Sequence, residues 1–446
     1  MADITGTVAS ERLVGTRFVD QITGDALNDA SGALAFGNDR ILGLDDDDRI
    51  VGDALIQFQT AGTTGGNDQI NGGRGNDQIF GDAGSSMFGG TEGGEDRIVG
   101  DLDHDTILGE ASFMGGSRGG NDQIFGGVGN DVLSGEADQL FATEAGDDYL
   151  NGSNGWDRIY GDAIELAAQG SVCGDDRLFG GKGHDYLIGD AKILADTSRG
   201  GDDRILSGLG DDTAFGDAAT VDFGPLQQGL RVVCGDDFIL DTGGDNELSG
   251  DVGSARGATI CGDDFVQGGG FVCGDALNIL TQGAIGGNDD VTGGGSSDTV
   301  VGDAGRALFG LAQGGNDRVS GGEGDDLLIG DAPTLGSQVI AGNDILSGGN
   351  DDDRMFGDAL NFDANGPGGN DRLFGGSGDD FMAGGAGDDY LNGGTGNDTA
   401  AYDGDQSDYT VGRDQGFTIV THLASGDVDR LIQVENLLFD DGGLIV

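Results

Sequence analysis

Aspartates recur in pairs, nine residues apart, and the pairs themselves recur about every 28 residues along most of the chain. Asp68 and Asp77 form one pair, and Asp96 and Asp105 form the next. An apolar residue follows each of these aspartates two positions later, and glycine or a polar turn former precedes it. The pattern predicts carboxylates stacked one above another in successive coils. Because like charges repel one another in a compact fold, cations must lie between these carboxylates.

Composition supports the same requirement and excludes several protein classes. The 446 residues include 81 acidic and 21 basic side chains, for a formal charge of −60. Nucleic acid and anionic membranes are therefore not expected as partners, because both require a basic surface. The 95 glycines argue against a helix bundle or a doubly wound domain, since glycine destabilises helix interiors by about 1 kcal/mol. Glycine does not fall on every third residue, which excludes collagen.

A second marker, the tripeptide G-D-A or a close variant, sets the length of a coil. Its 13 acids give a mean period near 28 residues, with one long interval of 34 and one short interval of 24 that we interpret as a local shift of one turn. They are Asp25, Asp53, Asp82, Glu110, Glu136, Asp162, Asp190, Asp217, Asp251, Asp275, Asp303, Asp331 and Asp358. Short apolar triplets bounded by glycine suit strands, so the sequence predicts an all-β parallel solenoid of about 13 coils.

Each coil contains two D-x-apolar segments, then G-D-A, then a variable segment of roughly ten residues. The residue after the inward apolar position is often large and apolar, as at Phe80, Phe125, Phe179, Phe215, Phe356 and Phe374. We expect the variable segment to cover these side chains as a third side of the coil. The alternative is a strip of exposed aromatic residues that contacts a partner.

The nonapeptide G-G-x-G-x-D-x-U-x, with U apolar, resembles the repeat of the RTX (repeats-in-toxin) calcium-binding β-roll proteins. It is matched at residues 72–80, 126–134, 180–188, 321–329, 375–383 and 384–392, and 393–401 matches except at Ala400. With degenerate copies, the resemblance covers roughly four-fifths of the chain. It implies Ca²⁺ held between stacked turns, which fits the preference of Ca²⁺ for carboxylate and carbonyl oxygens.

Two rows of calcium ligands follow from the resemblance. The first row contains Asp39, Asp68, Asp96, Asp122, Asp148, Asp176, Asp203, Asp237, Asp264, Asp289, Asp317, Asp344, Asp371 and Asp389. The second row contains Asp48, Asp77, Asp105, Asp131, Asp157, Asp185, Asp212, Asp298, Asp326, Asp353, Asp380 and Asp398. About two ions per coil, roughly 26 in all, would nearly cancel the charge of the chain. Asn246, Asp46, Asp103 and Ser296 depart from the motif, and we expect weaker binding at those turns.

The G-D-A acids are not part of the family's nonapeptide. They either form a third metal row or cap tight turns by accepting hydrogen bonds from local backbone N–H groups. The residues concerned as a third row are Asp53, Asp82, Glu110, Glu136, Asp162, Asp190, Asp217, Asp303, Asp331 and Asp358. The substitution of glutamate at positions 110 and 136 keeps the charge and slightly favours a metal role.

Four cysteines lie within the repeats, at Cys173, Cys234, Cys261 and Cys273. Cys234 and Cys261 are one coil apart, and a strand spacing of about 4.8 Å permits a disulfide between them. The alternative is that the thiols fill a small turn position. Zinc is not expected, because the chain has neither a C-x-x-C motif nor a nearby histidine.

No catalytic motif stands out, so we do not expect an enzyme. His104, His184 and His422 are far apart in sequence, and the first two are expected to face solvent. A groove for polysaccharide on the variable side, using Tyr149, Trp156, Tyr160 and Tyr186, is an alternative that stays open.

The ends of the chain differ from its middle. We expect an N-terminal cap at 1–23, extended coils at 24–370, tandem nonapeptides at 371–401, and a β-rich cap at 402–446. Residues 2–23 show no cleaved signal peptide or membrane span. The C-terminal region resembles that of RTX proteins exported by type I secretion. This resemblance implies a protein secreted by a Gram-negative bacterium, with calcium as ligand and a surface-layer, adhesion or matrix role. The expected partner is either another copy of the chain, in self-assembly, or a cell-surface polysaccharide.

Overall fold

The computed structural model describes residues 2–25, 35–195, 197–222, 231–362 and 368–445. The chain forms two compact units, Met1–Gly243 and Gly244–Val446. Strands of successive coils pair in parallel in both units, as in Ile70 beside Ile98 and Val319 beside Leu346. A single turn of 3-10 helix, Gln406–Asp408, is the only helical segment in these ranges. The predicted parallel β-solenoid is confirmed.

Most of the described coils of the first unit have three sides. First-side strands are Arg12–Val14, Arg40–Asp45, Gln69–Arg74, Arg97–Leu102, Gln123–Val128, Tyr149–Asn154, Arg177–Lys182, Arg204–Leu209 and Phe238–Leu240. Second-side strands are Asp3–Thr5, Gln21–Asp25, Arg49–Ala54, Gln78–Phe80, Thr106–Leu108, Val132–Ser134, Arg158–Tyr160, Tyr186–Ile188 and Thr213–Phe215. Third-side strands are Gln57–Phe58, Ala83–Phe88, Ala111–Gly115, Ala137–Phe141, Ala163–Ala168, Ala191–Ala195 and Ala218–Asp222, and Val232–Val233 lies after the third side.

The D-x-apolar pattern forms strands because its apolar residue points into the coil. Ile98 pairs in register with Ile70 in the preceding coil and Ile124 in the following coil, and all three are buried. Ile79 and Ile107 form the same kind of ladder on the second side. Stacking like residues in register removes their apolar surface from water, which stabilises the coil by about 25 cal/mol per Å².

The variable segment covers one side of the coil and leaves another uncovered. Phe80 and Phe215, on the second side, are buried as predicted. Phe125 and Phe179, on the first side, are only half-buried, and Tyr149 lies between them with ring centroids 5.6 Å and 4.9 Å away. The third side therefore packs against the second-side residues alone. The expectation that it covers both sides is wrong for the first side.

The second unit repeats the arrangement with shorter third-side strands. Its first-side strands are Phe265–Gln267, Asp290–Thr292, Arg318–Glu323, Ile345–Asn350, Arg372–Ser377 and Tyr390–Thr395. Its second-side strands are Asn246–Ser249, Gly270–Cys273, Thr299–Val301, Leu327–Ile329, Arg354–Phe356, Phe381–Ala383 and Thr399–Ala401. Third-side strands are Ala255–Arg256, Ile279–Thr281, Ala307–Leu308, Thr334–Leu335 and Asn361–Phe362, and Thr259–Ile260 lies after the third side.

Both ends of the chain contribute strands to the coils. Near the expected N-terminal cap of 1–23, Asp3–Thr5 pairs in parallel with Gln21–Asp25 and so adds a coil to the solenoid. At the other end, Val428–Ile432 adds in parallel to Tyr390–Thr395, and Phe417–His422 pairs with it in antiparallel fashion. The remaining strands of this region are Tyr409–Asp414, Asn436–Phe439 and Gly442–Ile445. Antiparallel hairpins thus cover the last coil.

The long interval after Asp217 does not interrupt the first unit. Arg204 pairs directly with Phe238, 34 residues later, in the same register as the other coils. Part of the extra length, 223–230, lies outside the described residues. Within the described ranges, no helix has the length and apolar character needed to cross a membrane.

Candidate metal centre

Row aspartates are held by the backbone of the preceding coil. The N–H of Asp96 donates to Oδ1 of Asp122 at 2.7 Å, and the N–H of Asp105 donates to Oδ1 of Asp131 at 2.9 Å. The same bond recurs along both rows, because in-register stacking places each aspartate beside its equivalent in the next coil. One oxygen of each carboxylate is therefore fixed by the fold itself.

The second oxygen of most row aspartates is buried and has no hydrogen-bond partner. This holds in the first row for Asp39, Asp68, Asp96, Asp122, Asp148, Asp176, Asp203, Asp289, Asp317, Asp344, Asp371 and Asp389. It holds in the second row for Asp48, Asp77, Asp105, Asp131, Asp157, Asp185, Asp326, Asp353, Asp380 and Asp398. A buried carboxylate oxygen without a partner costs several kcal/mol of folding free energy unless a cation contacts it.

Turn glycines bring backbone carbonyl oxygens to the same place as these Oδ2 atoms. A Cβ added at Gly100 would lie 2.7 Å from the carbonyl oxygen of Gly126 and would collide with Oδ2 of Asp105. A Cβ at Gly81 would collide with the carbonyl oxygen of Gly109 and with Oδ2 of Asp96. Carboxylate and carbonyl oxygens thus converge around one point in each turn. Such an all-oxygen set fits Ca²⁺, which takes six to eight oxygen ligands in flexible geometry.

The G-D-A acids cap turns by accepting backbone N–H groups, most of them through one oxygen and Asp217, Asp251 and Asp358 through both. Asp82 accepts a hydrogen bond from the N–H of Gly94 at 2.9 Å, and Asp303 accepts one from Gly315 at 2.7 Å. The other oxygen is buried and without a hydrogen-bond partner at Asp25, Asp53, Asp82, Glu110, Glu136, Asp162, Asp190, Asp275, Asp303 and Asp331. Capping therefore accounts for one oxygen of each of these carboxylates and does not explain the burial of the other oxygen.

The G-D-A acids lie beside the first row. Carboxylate oxygens of Glu136, Asp148 and Asp162 all lie within 4.8 Å of one another. Asp148 belongs to the first row, and Glu136 and Asp162 are G-D-A acids of successive coils. Glu136 and Asp162 would therefore bind the same ions as the first-row aspartates, whereas the spacing had suggested a separate third row. We call this combined set the double column, and the second row alone the single column.

Electrostatics differ between the two columns. Burial, together with the nearby carboxylates of Asp82, Asp122 and Asp68, raises the pKa of Asp96 well above its ordinary value. In the single column, burial raises the pKa of Asp77 to about 7 and that of Asp105 to about 8. Both columns thus favour protonated carboxyls in the absence of a cation. A divalent cation reverses this preference by stabilising the ionised form.

The turn at Asp298 differs from the other second-row turns. Oδ2 of Asp298 accepts the N–H of Gly294 at 2.6 Å, and Oδ1 accepts the N–H of Gly270 and the hydroxyl of Ser296. Neither oxygen needs a cation, so the structure supplies a reason for weaker binding at this site. Asp46 and Asp103, which replace turn glycines, adopt positive φ angles of 78° and 80° and keep the turn conformation.

Two row members escaped the motif search. Asp20 lies one coil before Asp48 and accepts hydrogen bonds from the N–H groups of Ala2 and Thr16. Asp429 extends the first row beyond Asp389, whose N–H it accepts at 3.0 Å. Neither follows a G-G-x-G turn, but each begins a D-x-apolar triplet. That shorter signal would have found both.

The cysteines are buried, and no disulfide joins them in the described structure. A Cys234–Cys261 disulfide stays a prediction. The sulfur atom of Cys261 lies within 4.8 Å of carboxylate oxygens of Asp251 and Asp275. The thiol therefore lies beside the acids of its own turn and the next.

Residues considered for a polysaccharide groove do not form one cluster. Tyr160 is buried, Trp156 is 63% exposed in a turn, and Tyr149 and Tyr186 lie on different sides of the coil. His104 and His184 are exposed, as expected. Catalytic chemistry gains no support from these positions.

Comparison with known protein families agrees with the geometry. The family model of the RTX calcium-binding nonapeptide repeat (4 copies) matches residues 36–54, 63–87, 91–112, 118–139, 138–163, 174–191, 198–219, 286–306, 311–332, 341–361 and 366–400. These segments together make up more than half of the chain. A search of curated proteins found no match.

Proposed function

The chain belongs to the family of RTX calcium-binding nonapeptide repeat proteins, and on that premise we propose that it is a secreted structural protein that folds when it binds calcium outside the cell. Its role would be in a surface layer, in adhesion or in a biofilm matrix. We further propose that the chain is not an enzyme.

One observation carries the proposal: the buried second oxygens of the row aspartates, which have no hydrogen-bond partner. Two columns of such oxygens, with turn carbonyls beside them, support about two ions per coil. The double column would use first-row and G-D-A acids together, and the single column would use second-row acids alone. Because the chain is strongly acidic, the free energy of calcium binding becomes free energy of folding.

Calcium levels support a location outside the cell. Extracellular calcium modules bind with dissociation constants of about 10⁻⁴–10⁻³ M, far above cytosolic free calcium. The chain would therefore be exported unfolded and would fold on reaching millimolar calcium. We assign the secretion signal to residues 402–446 and the chain to a Gram-negative host.

Circular dichroism with and without a chelator tests calcium-dependent folding. We expect the β-structure of the calcium-loaded protein to disappear in chelator at neutral pH and to return when calcium is restored. A full β-spectrum in chelator would overturn the proposal. Metal analysis of the loaded protein then counts the ions.

Secretion and assembly need separate measurements. Co-expression with a type I secretion apparatus should deliver the full chain to the medium, and deletion of 402–446 should abolish delivery. Light scattering and electron microscopy after calcium addition should show ordered assemblies. Monodisperse single rods at all calcium concentrations would contradict a self-assembling structural role.

Half-buried aromatic residues favour a second candidate function, binding of polysaccharide. Phe125, Tyr149 and Phe179 form a continuous ladder on the first side, and the guanidinium of Arg97 lies 4.9 Å from the centre of the Phe125 ring. Aromatic faces of this kind stack on sugar rings. Binding of the calcium-loaded protein to a glycan array, lost in Tyr149→Ala, would support this candidate over a purely structural role.

A further inference from the structure

Three cysteines, Cys173, Cys234 and Cys261, occupy positions in the double column that hold glycine in other coils. Cys173 precedes Gly174, just as Gly200 precedes Gly201 in the next coil. The sulfur atom of Cys173 and one carboxylate oxygen each of Asp162 and Asp190 lie within 4.8 Å of one another. Asp251, Cys261 and Asp275 repeat this cluster in the second unit. The same Asp-Cys-Asp arrangement is thus present within each of the two units.

The backbone directs any side chain at this position toward two carboxylates. A Cβ added at Gly286, the position equivalent to Cys261 one coil later, would lie 2.7 Å from Oδ2 of Asp275 and would collide with Oδ1 of Asp303. A Cβ at Gly314 would meet Asp303 and the next acid in the same way. The cysteine thiols therefore extend into the gap between acids of successive coils.

Each cluster contains a buried carboxylate oxygen that has no hydrogen-bond partner. Oδ1 of Asp190 accepts the N–H of Gly201 at 3.1 Å, while its Oδ2 has no partner. Oδ1 of Asp275 accepts the N–H of Gly287 at 2.8 Å, and its Oδ2 likewise has none. Both aspartates are completely buried. The thiol of Cys173 donates a hydrogen bond to Asp162, and that of Cys261 donates one to Asp275. One weak donor does not compensate two buried carboxylates.

We propose that the two Asp-Cys-Asp clusters bind a thiophilic divalent cation, with Zn²⁺ as the natural ion and Cd²⁺ as its probe. Sulfur is a soft ligand that selects zinc-like ions, whereas calcium takes only oxygen ligands. One sulfur and two carboxylate oxygens provide three ligands of the tetrahedral set that zinc prefers. The expectation that zinc is absent relied on C-x-x-C spacing. The fold supplies the other ligands from residues 11 and 17 positions away in the first cluster.

The test uses the full chain with Cys234→Ser, so that sulfur-bound metal, seen by its charge-transfer band, reports these two clusters alone. The protein is folded in millimolar calcium, mixed with excess Cd²⁺, and passed through a gel-filtration column in calcium buffer. We expect two retained equivalents of Cd²⁺ and an ultraviolet sulfur-to-metal charge-transfer band. Cys173→Ser and Cys261→Ser should each remove one equivalent and half of the band.

Cys273 provides the matched control. It is fully buried against Val301 and Ile329, in an apolar cluster, so Cys273→Ala should leave the Cd²⁺ count unchanged. The proposal is overturned if the calcium-loaded chain retains no Cd²⁺ or shows no charge-transfer band. In that case the thiols only fill the turn. The charge-transfer band is first measured with Cys173 and Cys261 intact. A folding defect in either serine variant therefore cannot explain the absence of the band.

Metal binding by the thiol clusters is a different property from calcium-dependent folding, and different results contradict each of them. If the chain gains no β-structure in calcium, the proposed function is wrong and the cadmium experiment has no folded substrate. If the chain folds in calcium but retains no Cd²⁺, only the thiol clusters have been misassigned.

Discussion

The extended coils of 24–370 and the tandem nonapeptides of 371–401 use the same aspartate rows but differ at one turn position. Each extended coil places a G-D-A acid beside the first row, as with Asp303 and Asp331. The tandem coils have the pair Gly384 and Gly385 there, and a variable segment is absent. Each extended coil therefore contains three stacked carboxylates, one from each row and one from G-D-A. Each tandem coil contains only the two row carboxylates.

Asp358 lies where the two kinds of coil meet. Its Oδ1 accepts the N–H of Gly369 at 2.7 Å, as in other G-D-A acids. Its Oδ2 accepts the N–H of Ala386 at 2.9 Å, because the following coil offers backbone where an extended coil would offer another acid. Under the proposal that G-D-A acids bind metal, Asp358 is an exception, because both of its oxygens already accept backbone N–H groups.

Calcium removal should produce the largest difference between the two regions. Higher ligand charge raises calcium affinity, so extended coils should retain ions at lower free calcium than tandem coils. In hydrogen exchange at decreasing free calcium, amides of Arg372–Ser377 should lose protection before amides of Arg318–Glu323. Complete removal of calcium by a chelator should abolish the hydrogen-exchange protection of both strands. Simultaneous loss at every calcium level would remove the proposed difference in affinity.

The pH dependence of the calcium-free chain should be the next largest effect. Folding raises the pKa of Asp77 to about 7, that of Asp105 to about 8 and that of Asp353 to about 7, whereas the unfolded value is about 4. Between those values the unfolded chain binds fewer protons, so the stability of the calcium-free fold decreases as pH rises from about 4 to about 8.

Circular dichroism in chelator checks this sign. We expect partial β-structure near pH 4 and its loss by pH 8, with calcium affinity rising over the same range. Both columns should contribute, because neighbouring acids add to the effect of burial in each of them. A chelated spectrum that does not change with pH would contradict the assignment.

A pair of single substitutions should give the smallest and most specific effect. Asp303→Asn removes charge from an acid with an unpartnered oxygen and should lower the calcium count by about one ion. Asp358→Asn should leave the count unchanged and lower the free energy of unfolding by about 1–3 kcal/mol, because its two hydrogen bonds are lost in part.

Metal analysis and chemical denaturation in saturating calcium distinguish the two variants. Equal ion counts in the wild type and both variants would assign every G-D-A acid to capping alone. Loss of one calcium ion in both variants would show that Asp358 also binds metal. The proposed difference between Asp358 and the other G-D-A acids would then be wrong.

Much of this molecule was predictable because each coil contacts only its neighbours, so the period in sequence is also the period in space. The nine-residue pairing placed Asp96 and Asp105 on two turns of one coil, and the 28-residue period placed Asp68 and Asp122 in the coils before and after. Fold class and core ladders followed from spacing, whereas the two rows of expected ligands came from the resemblance to RTX proteins.

Tertiary structure decided where side chains at irregular positions point. The number of residues between a G-D-A acid and its turn does not reveal that Asp162 joins Asp148, that Cys173 points at two carboxylates, or that Asp358 finds a second N–H donor. Each of these depends on which backbone group the neighbouring coil presents. The sequence determined by itself that cations must bind to stacked acids, whereas only the folded coils decided which oxygens remain for the cation, because hydrogen bonds within and between the coils occupy the others.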